Sequence, residues 1–442
     1  MRHFYLWLVW IGLATQGALL AEPDADWRVA AAERIRSHRM TSASLQVLNP
    51  NGSPAPGVRV EFRMKRHAYP FGTAIREPVF LQSADSDPYR IHLAELFNTA
   101  VMENWMKWKQ WEKPGNVDRR QSVEDIIDWL TARRFRIRGH AMVWQCPRFG
   151  VTYPKDIQRL LESTPDEAGS RVMRERILGS VREVASRHQG RLYEWDVVNE
   201  WVEWRDLTRY LTPDRDGVGS PDVPEWFHAA RSADGHARLI INDYHILVGD
   251  HPKHRQRYEE MIDYLINSGA PLGGIGFQGH FYNGASRRTP AQLQEVFTRF
   301  ARFGLPMVVT EFDMYGQGWG QEREEREREQ AEFLEEVLTL TFSQPLSDGF
   351  LVWGFWDGAH WEKQGVFFRE DWTPKPALEV WKRLLFKEWW TEKAEVVTNG
   401  SGVAEARIFS GAYEVILHHE GGTFQTLAHF IPTTAHQTVF LP

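Results

Sequence analysis

Tyr193-Glu194-Trp195-Asp196-Val197-Val198-Asn199-Glu200 and Pro306-Met307-Val308-Val309-Thr310-Glu311-Phe312-Asp313 each run through a short apolar stretch and come to a glutamate. Stretches rich in Val and aromatic residues read as buried strands, and an ionisable residue at the end of such a strand is held rigidly at a sheet edge while still reaching a ligand. A pair of carboxyls held this way is the minimum equipment for cleaving a glycosidic bond: one protonates the leaving oxygen, the other attacks the sugar carbon. Either glutamate alone could equally be a solvated strand-end residue. The flanking Asn199 and Asp313 weigh against that reading.

Around these two stretches the chain alternates strand and helix. From residue 71 onward, apolar runs end near Ile75, Met102, His140, Asn199, Asn242, His280, Glu311 and Trp356. Eight such runs predict an α/β fold, a closed (β/α)8 TIM barrel over residues 71–388. Between them, Thr289-Pro290-Ala291-Gln292 supplies an N-cap, a first-turn proline and a capping-box glutamine, after which Leu293, Val296, Phe297 and Phe300 share one helical face. Tyr258, Met261, Ile262 and Leu265 repeat this spacing, as do Val123, Ile126, Ile127 and Leu130. The mixed charges of residues 323–329 lead into Phe333, Leu334, Val337 and Leu338 and read as the solvated start of another helix.

The flanks have a different texture. Residues 1–21 join a basic start to an apolar run and end on small residues, the pattern of a signal peptide, which predicts a secreted or periplasmic protein. The apolar run is short for a span of ~20 residues, so no stable membrane span is expected after cleavage. Residues 22–70 predict a short helix and a β-hairpin, with strands at 42–48 and 57–64 around Asn51-Gly52. Residues 389–442 predict short strands parted by Asn399-Gly400, Ser410-Gly411 and Gly421-Gly422. Two strands alone are marginal in water, so the two pieces are expected to pack into one small all-β, sandwich-like module beside the barrel. Its few aromatic residues favour a structural brace over a carbohydrate-binding surface.

Composition narrows the function classes. A net charge of −7 over 442 residues leaves no basic footprint for nucleic acid. Cys146 is the only cysteine, which excludes an intramolecular disulfide, and with no cationic dyad beside it this thiol has no reason to be activated. His251 and His254 lack the glutamate and third ligand of a zinc helix and read as loop histidines, so neither metal nor cofactor is expected. There is no phosphate loop and no nucleophile elbow. Asn51 and Asn399, each in an Asn-Gly-Ser sequence, read as turn residues. The expected state is a monomer.

The polar motifs fall where the strands should end, the catalytic face of such a barrel. They are Glu103-Asn104-Trp105-Met106-Lys107-Trp108, Arg138-Gly139-His140 through Trp144, Asn199-Glu200, Asn242-Asp243-Tyr244, Gln278-Gly279-His280, Glu311-Phe312-Asp313, the run from Trp353 to Trp361, and Lys375-Pro376-Ala377. In this order they resemble glycoside hydrolase family 10, the retaining endo-β-1,4-xylanases, over residues 71–385. The resemblance implies Glu200 as acid/base and Glu311 as nucleophile. It implies Asn199 at the sugar 2-hydroxyl, His280 bonded to the nucleophile, and Asp313 behind it. Glu103, Asn104, Lys107, His140, Trp144, Gln278, Trp353 and Trp361 match the glycone-side contacts, and the implied partner is xylan or a xylo-oligosaccharide.

Trp144 is followed by Gln145-Cys146-Pro147 where many members have His-Ser-Gln, which is closer to the plant-like branch. Two other readings stay open: another retaining β-glycanase on the same barrel, and a catalytically silent carbohydrate-binding protein. Lys107 and the walls formed by Trp353 and Trp361 favour a pentose, which lacks the C6 hydroxymethyl group.

Overall fold

The computed structural model describes residues 23–113, 118–147, 153–215 and 218–442, and the expected signal peptide lies outside them. A helix, Pro23–His38, leads into β1 (Met40–Leu48) and β2 (Arg59–His67). The barrel strands follow: β3 (Phe71–Ile75), β4 (Thr99–Met102), β5 (Arg136–Gly139) with its short continuation β6 (Val143–Trp144), β7 (Glu194–Asn199), β8 (Arg238–Asp243), β9 (Gly274–Phe281), β10 (Met307–Met314) and β11 (Ser347–Val352). Five more strands close the chain: β12 (Ala394–Val397), β13 (Val403–Phe409), β14 (Gly411–His419), β15 (Gly422–Phe430) and β16 (His436–Phe440).

β3 to β11 form one parallel sheet in which β5 pairs with both β4 and β7, so the sheet closes on itself as an eight-membered barrel. The strands are buried along almost their whole length, as expected of a barrel filled by side chains within and covered by helices without. Gly139 shows how tightly it is filled: a Cβ there would lie 2.0 Å from the Trp195 ring. The helices form as their patterns require. Pro290–Ala301 has the full capping box between Thr289 and Gln292, and it buries Leu293, Val296, Phe297 and Phe300. Arg323–Ser343 is a helix whose charged start is mostly solvated, except that Glu327 is buried against the Arg369 guanidinium at 2.6 and 3.0 Å. The eighth barrel strand ends at Val352, short of Trp356. The apolar run continues past it because Trp353, Phe355 and Trp356 pack under the mouth, while Gly354 at φ 97° breaks the strand.

The hairpin expectation is overturned. β1 and β2 do not pair with each other: β1 lies between β13 and β16, whereas β2 lies between β12 and β14, with β15 beyond. The turn at Asn51-Gly52 does form, and Asn51 Oδ1 accepts from the Ser53 amide at 3.0 Å. Residues 49–58 nevertheless carry the chain across the core from one sheet to the other. Ala43, Leu45 and Val47 on β1 then face the same apolar interior as Val60, Phe62 and Met64 on β2, burying both strands' apolar sides at once, which a single hairpin could not do. The two termini thus build one sandwich-like module. Asn399, like Asn51, is a turn residue: its Oδ1 accepts from the amides of Ser401 and Val403.

The module sits at the base of the barrel, where the parallel strands begin. Tyr69 bonds Ser347, the first residue of β11, at 2.6 Å, and His67 bonds the Leu385 carbonyl at 2.8 Å. Arg39 donates to the carbonyls of Phe342, Gln344 and Ser347 at 2.6, 2.5 and 2.9 Å, so that a cation ends the long helix Arg323–Ser343. The opposite face, at the strand C-termini, is left open.

Candidate active site

That open face holds a cleft of about 670 Å³. Glu103, Asn104, Lys107, His140, Trp144, Glu200, Gln278, Glu311, Trp353 and Trp361 all line it, together with His280. The sequence motifs, spread over some 260 residues, are therefore brought to one place. Asn199 and Asp313 are buried behind the lining residues.

Glu200 follows directly after β7 and adopts φ 55°, a left-handed conformation that residues with a Cβ seldom take and that costs on the order of 1–3 kcal/mol. Its amide is held by the Asn242 carbonyl at 2.8 Å. Its carboxyl accepts from the Trp144 indole at 2.8 Å and from Gln278 at 3.1 Å. Burial, and then the charge of Glu311, push this carboxyl from the ordinary 4.5 up to about 7.

Glu311, within β10, has the opposite fate. Burial would raise it too, but the hydrogen bond from His280, aided by His140 and Lys107, holds it below the ordinary carboxylate range. Oε2 is 3.1 Å from His280 Nε2, and Oε1 accepts from Asn242 at 2.8 Å. His280 in turn bonds Asp313 through Nδ1 at 2.8 Å. Since both ring nitrogens face carboxylates, both must donate, and the ring is an imidazolium. Although burial opposes that charge, Asp313 and Glu311 raise the ring to about 10. Asp313 also accepts from the Trp361 indole at 2.9 Å and from His360 Nε2 at 3.2 Å. The His360 Nδ1 accepts from the amides of Glu362 and Gln364, which leaves the proton on Nε2. Burial works against the Asp313 carboxylate, yet the charge and hydrogen bond of His280, and then His360, bring it down to about 2.

The two carboxyls belong to one network. Asn199 Oδ1 accepts from Asn242 at 2.9 Å and from Gln278 at 3.2 Å, the same two amides that bond Glu311 and Glu200. Asn242 itself is fixed by the Thr310 hydroxyl at 2.7 Å. On the far side, His140 bonds Asp196 at 2.7 Å, and Asp196 accepts from the fully buried Arg138 at 2.6 Å.

Several residues of the site were missed as such by the reading of the sequence. Asn242 stood in a quoted motif without a role, although a polar amide on a buried strand was signal enough. Lys375 bonds Asp357 and the Gly365 carbonyl, each at 2.7 Å, so the Lys-Pro-Ala motif clamps the loop that carries Trp361. Arg76, Glu77, Trp204, Tyr244, His245 and Tyr282 also line the cleft, and of these only Tyr244 lay in a motif. Trp144 does more than offer a ring face, since its N–H goes to Glu200. Gln145 turns inward to accept from the Thr208 amide at 2.9 Å, and Cys146 is fully buried. His251 stacks on His245 with ring centroids 3.8 Å apart, while His254, in the first turns of helix Pro252–Asn267 and not in a loop, bonds Asp243 at 3.0 Å. Among the described residues no cluster of three or more His, Cys, Asp or Glu side chains is placed to hold a metal ion.

Comparison with known proteins gives this arrangement a context. The family model described as Glycosyl hydrolase family 10 matches residues 61–383. A protein named Beta-1,4-xylanase from Dictyoglomus thermophilum is 27% identical over 309 residues, covering 66% of this chain and 82% of its own length. Anti-sigma-I factor RsgI6 from Acetivibrio thermocellus is 24% identical over 390 residues, covering 88% of this chain and 46% of its own. The chain thus spans about half the length of this last relative. Among solved structures, native xylanase 10B from Thermotoga maritima superposes with a TM-score of 0.61 at 24% identity, over 72% of this chain and 95% of that one.

Proposed function

Because the chain belongs to glycosyl hydrolase family 10, we propose that it is a retaining endo-1,4-β-xylanase with Glu200 as acid/base and Glu311 as nucleophile. The observation that carries the reading is the opposed setting of two carboxyls in one cleft: half-buried Glu200, bonded by Trp144 and Gln278 and pushed up to about 7, and buried Glu311, bonded by His280 and held below the ordinary carboxylate range. Environments that separate two titrating groups in this way assign an acid and a base.

In the first step a Glu311 oxygen attacks the anomeric carbon, the C–O bond to the leaving sugar breaks, and Glu200 delivers its proton to that oxygen. The imidazolium of His280 keeps Glu311 ionised until then. Once Glu311 is esterified its negative charge is gone, and the carboxyl of Glu200 becomes more acidic. It can then take a proton from water as the water attacks the same carbon and releases Glu311, with net retention of configuration. Asn199, its oxygen already occupied by Asn242 and Gln278, has its amide N–H groups left for a sugar hydroxyl.

Xylan or a xylo-oligosaccharide is the proposed substrate, by the pentose argument from Lys107, Trp353 and Trp361; the protein is proposed to act as a monomer, secreted or periplasmic. No helix among the described residues is long and apolar enough to cross a membrane. A relative matched over 88% of this chain is named as an anti-sigma factor and not as a glycosidase, which keeps the catalytically silent carbohydrate-binding reading in view. The decisive experiment is proton NMR of xylo-oligosaccharide hydrolysis, joined to azide rescue of Glu200→Ala. Retention at the first-formed anomeric centre and a β-glycosyl azide product are expected. Inversion would refute the mechanism, and no release of reducing ends from xylan or any β-glucan would favour the binding reading.

A further inference from the structure

The two ends of the cleft differ in charge. At the end marked by Glu103, Asn104 and Lys107, the lining includes Arg76, which follows the last residue of β3 and whose side chain is 39% exposed. At the other end the walls are Trp204, Tyr244, His245, Val248 and Tyr282. Burial, and then the neighbouring histidines, keep His245 neutral, at about 3.

Arg76 is anchored but not used up. Its Nη1 donates to Glu103 Oε1 at 2.5 Å, and its amide donates to the Tyr89 hydroxyl at 3.1 Å. Glu103 Oε1 also accepts from Asn104 at 3.0 Å, so the partner carboxylate is itself fixed. The remaining guanidinium N–H groups have no partner among the described residues, and the side chain stands at the cleft wall. A guanidinium pinned at one corner presents the rest of its planar fork in a set orientation, the geometry that recognises a carboxylate through two parallel bonds.

The surroundings lean the same way. Lys107 lies within the same wall, 4.6 Å from the Trp144 ring, and Arg119 covers the half-buried Trp105 ring at 5.6 Å. The acids at this end are Glu103 and Glu77. Glu77 is fully buried, with one oxygen accepting from the amides of Asn104 and Trp105 at 2.7 and 2.6 Å; burial, and then Glu103, raise it to about 7. In mildly acidic medium it is mostly uncharged, and cations outnumber anions at this end. A neutral sugar chain makes no use of that excess.

We propose that Arg76 is a specificity-determining residue that binds the carboxylate of a uronic acid side group on the glycone side, so that acid-decorated xylan is the preferred substrate class. This rests on the xylanase reading given above. The alternative role for Arg76, holding Glu103 in place, requires only the one bond that Nη1 already makes.

The test compares three substrates with the full chain: a linear xylo-oligosaccharide, the same oligosaccharide with a uronosyl group on a glycone-side xylose, and the methyl ester of that acid. Native protein should favour the acid over its ester by about tenfold in kcat/KM at low salt, as befits a charge-assisted contact at a half-exposed site, and the preference should shrink as salt screens it. Arg76→Met should abolish the acid-to-ester preference, and Arg76→Lys should keep part of it. Equal rates on acid and ester in the native protein would overturn the proposal. So would an equal loss on all three substrates in Arg76→Met, which would reduce Arg76 to a support for Glu103. If the native protein hydrolyses none of them, the xylanase reading falls by itself, and calorimetric binding of acid against ester then decides the carboxylate site independently.

Discussion

Titratable groups are withdrawn from water at both ends of the barrel, but they are treated in opposite ways. At the base, Arg39 ends on three backbone carbonyls and His67 on a fourth, so these two side chains meet carbonyls that the barrel would otherwise leave open. At the mouth, half-buried Glu200 stands beside Glu311 with no cationic partner in its hydrogen bonds, and one oxygen of buried Glu77 has no hydrogen-bond partner among the described residues. The base spends its polar groups on stability. The mouth keeps Glu200 and Glu77 in settings that disfavour their ionised forms, as the proposed proton transfer at Glu200 requires.

The sharpest way to break this comparison is Glu311→Ala. On the proposed role it should lower kcat by at least about 10⁴-fold on every glycoside, with a much smaller loss of stability, because burial opposes the ionised carboxyl in the folded chain while His280 favours it. A parallel fall in stability would put Glu311 with the residues of the base.

The reverse experiment removes residues after Trp390, which takes away β12 to β16 and uncovers Ala43, Leu45, Val47, Val60 and Phe62. The loss should exceed about 5 kcal/mol in chemical unfolding, from the apolar area exposed, while hydrolysis of short xylo-oligosaccharides at low temperature survives. An unchanged melting temperature would deny the module its bracing role.

A third test lies in pH. The folded-state value of Glu200 is raised from 4.5 to about 7, so the folded chain holds an extra proton between those limits. Its contribution to stability is complete below 4.5 and is lost as pH rises through about 7, a difference of roughly 3 kcal/mol at 1.36 kcal/mol per unit. Glu200→Gln should therefore unfold at higher urea than the parent in alkaline buffer and match it in acid. For catalysis the same values set a bell, with an alkaline limb near 7 from Glu200 and an acidic limb below 4.5 from Glu311. Equal urea midpoints in alkali would mean that the mouth stores no such cost.

The smallest effect is expected at Cys146, which is fully buried beside the cleft loop. A thiol reagent should label it only on unfolding, and Cys146→Ala should cost about 1 kcal/mol with kcat unchanged. Loss of turnover with binding intact would give this thiol a role in the chemistry.

The barrel and most of the cleft were legible because a buried parallel strand writes itself as a compact apolar run, and its mouth residues follow directly: Asn199-Glu200 after Val197-Val198 is the plainest case. What failed was the partner of a strand. Alternation in residues 42–48 and 57–64 records one buried face per strand and nothing about which sheet supplies the neighbour, so Asn51-Gly52 suggested a hairpin where the chain crosses between sheets. Arg76 was invisible for a related reason. A single arginine after Ile75 has no periodicity, and only the folded barrel sets it beside Glu103.

The crossing between β1 and β2 has a consequence for synthesis. Met40 pairs with Phe409, roughly 370 residues downstream, and Val47 with Val439. At ~5–20 residues per second on a ribosome, β1 waits about 20–70 s for its neighbours while the whole barrel emerges in between. For that interval β1 and β2 cannot satisfy each other as a hairpin would, and their apolar sides and open edges are exposed to any passing strand. Strands made after the barrel are what cover those made before it.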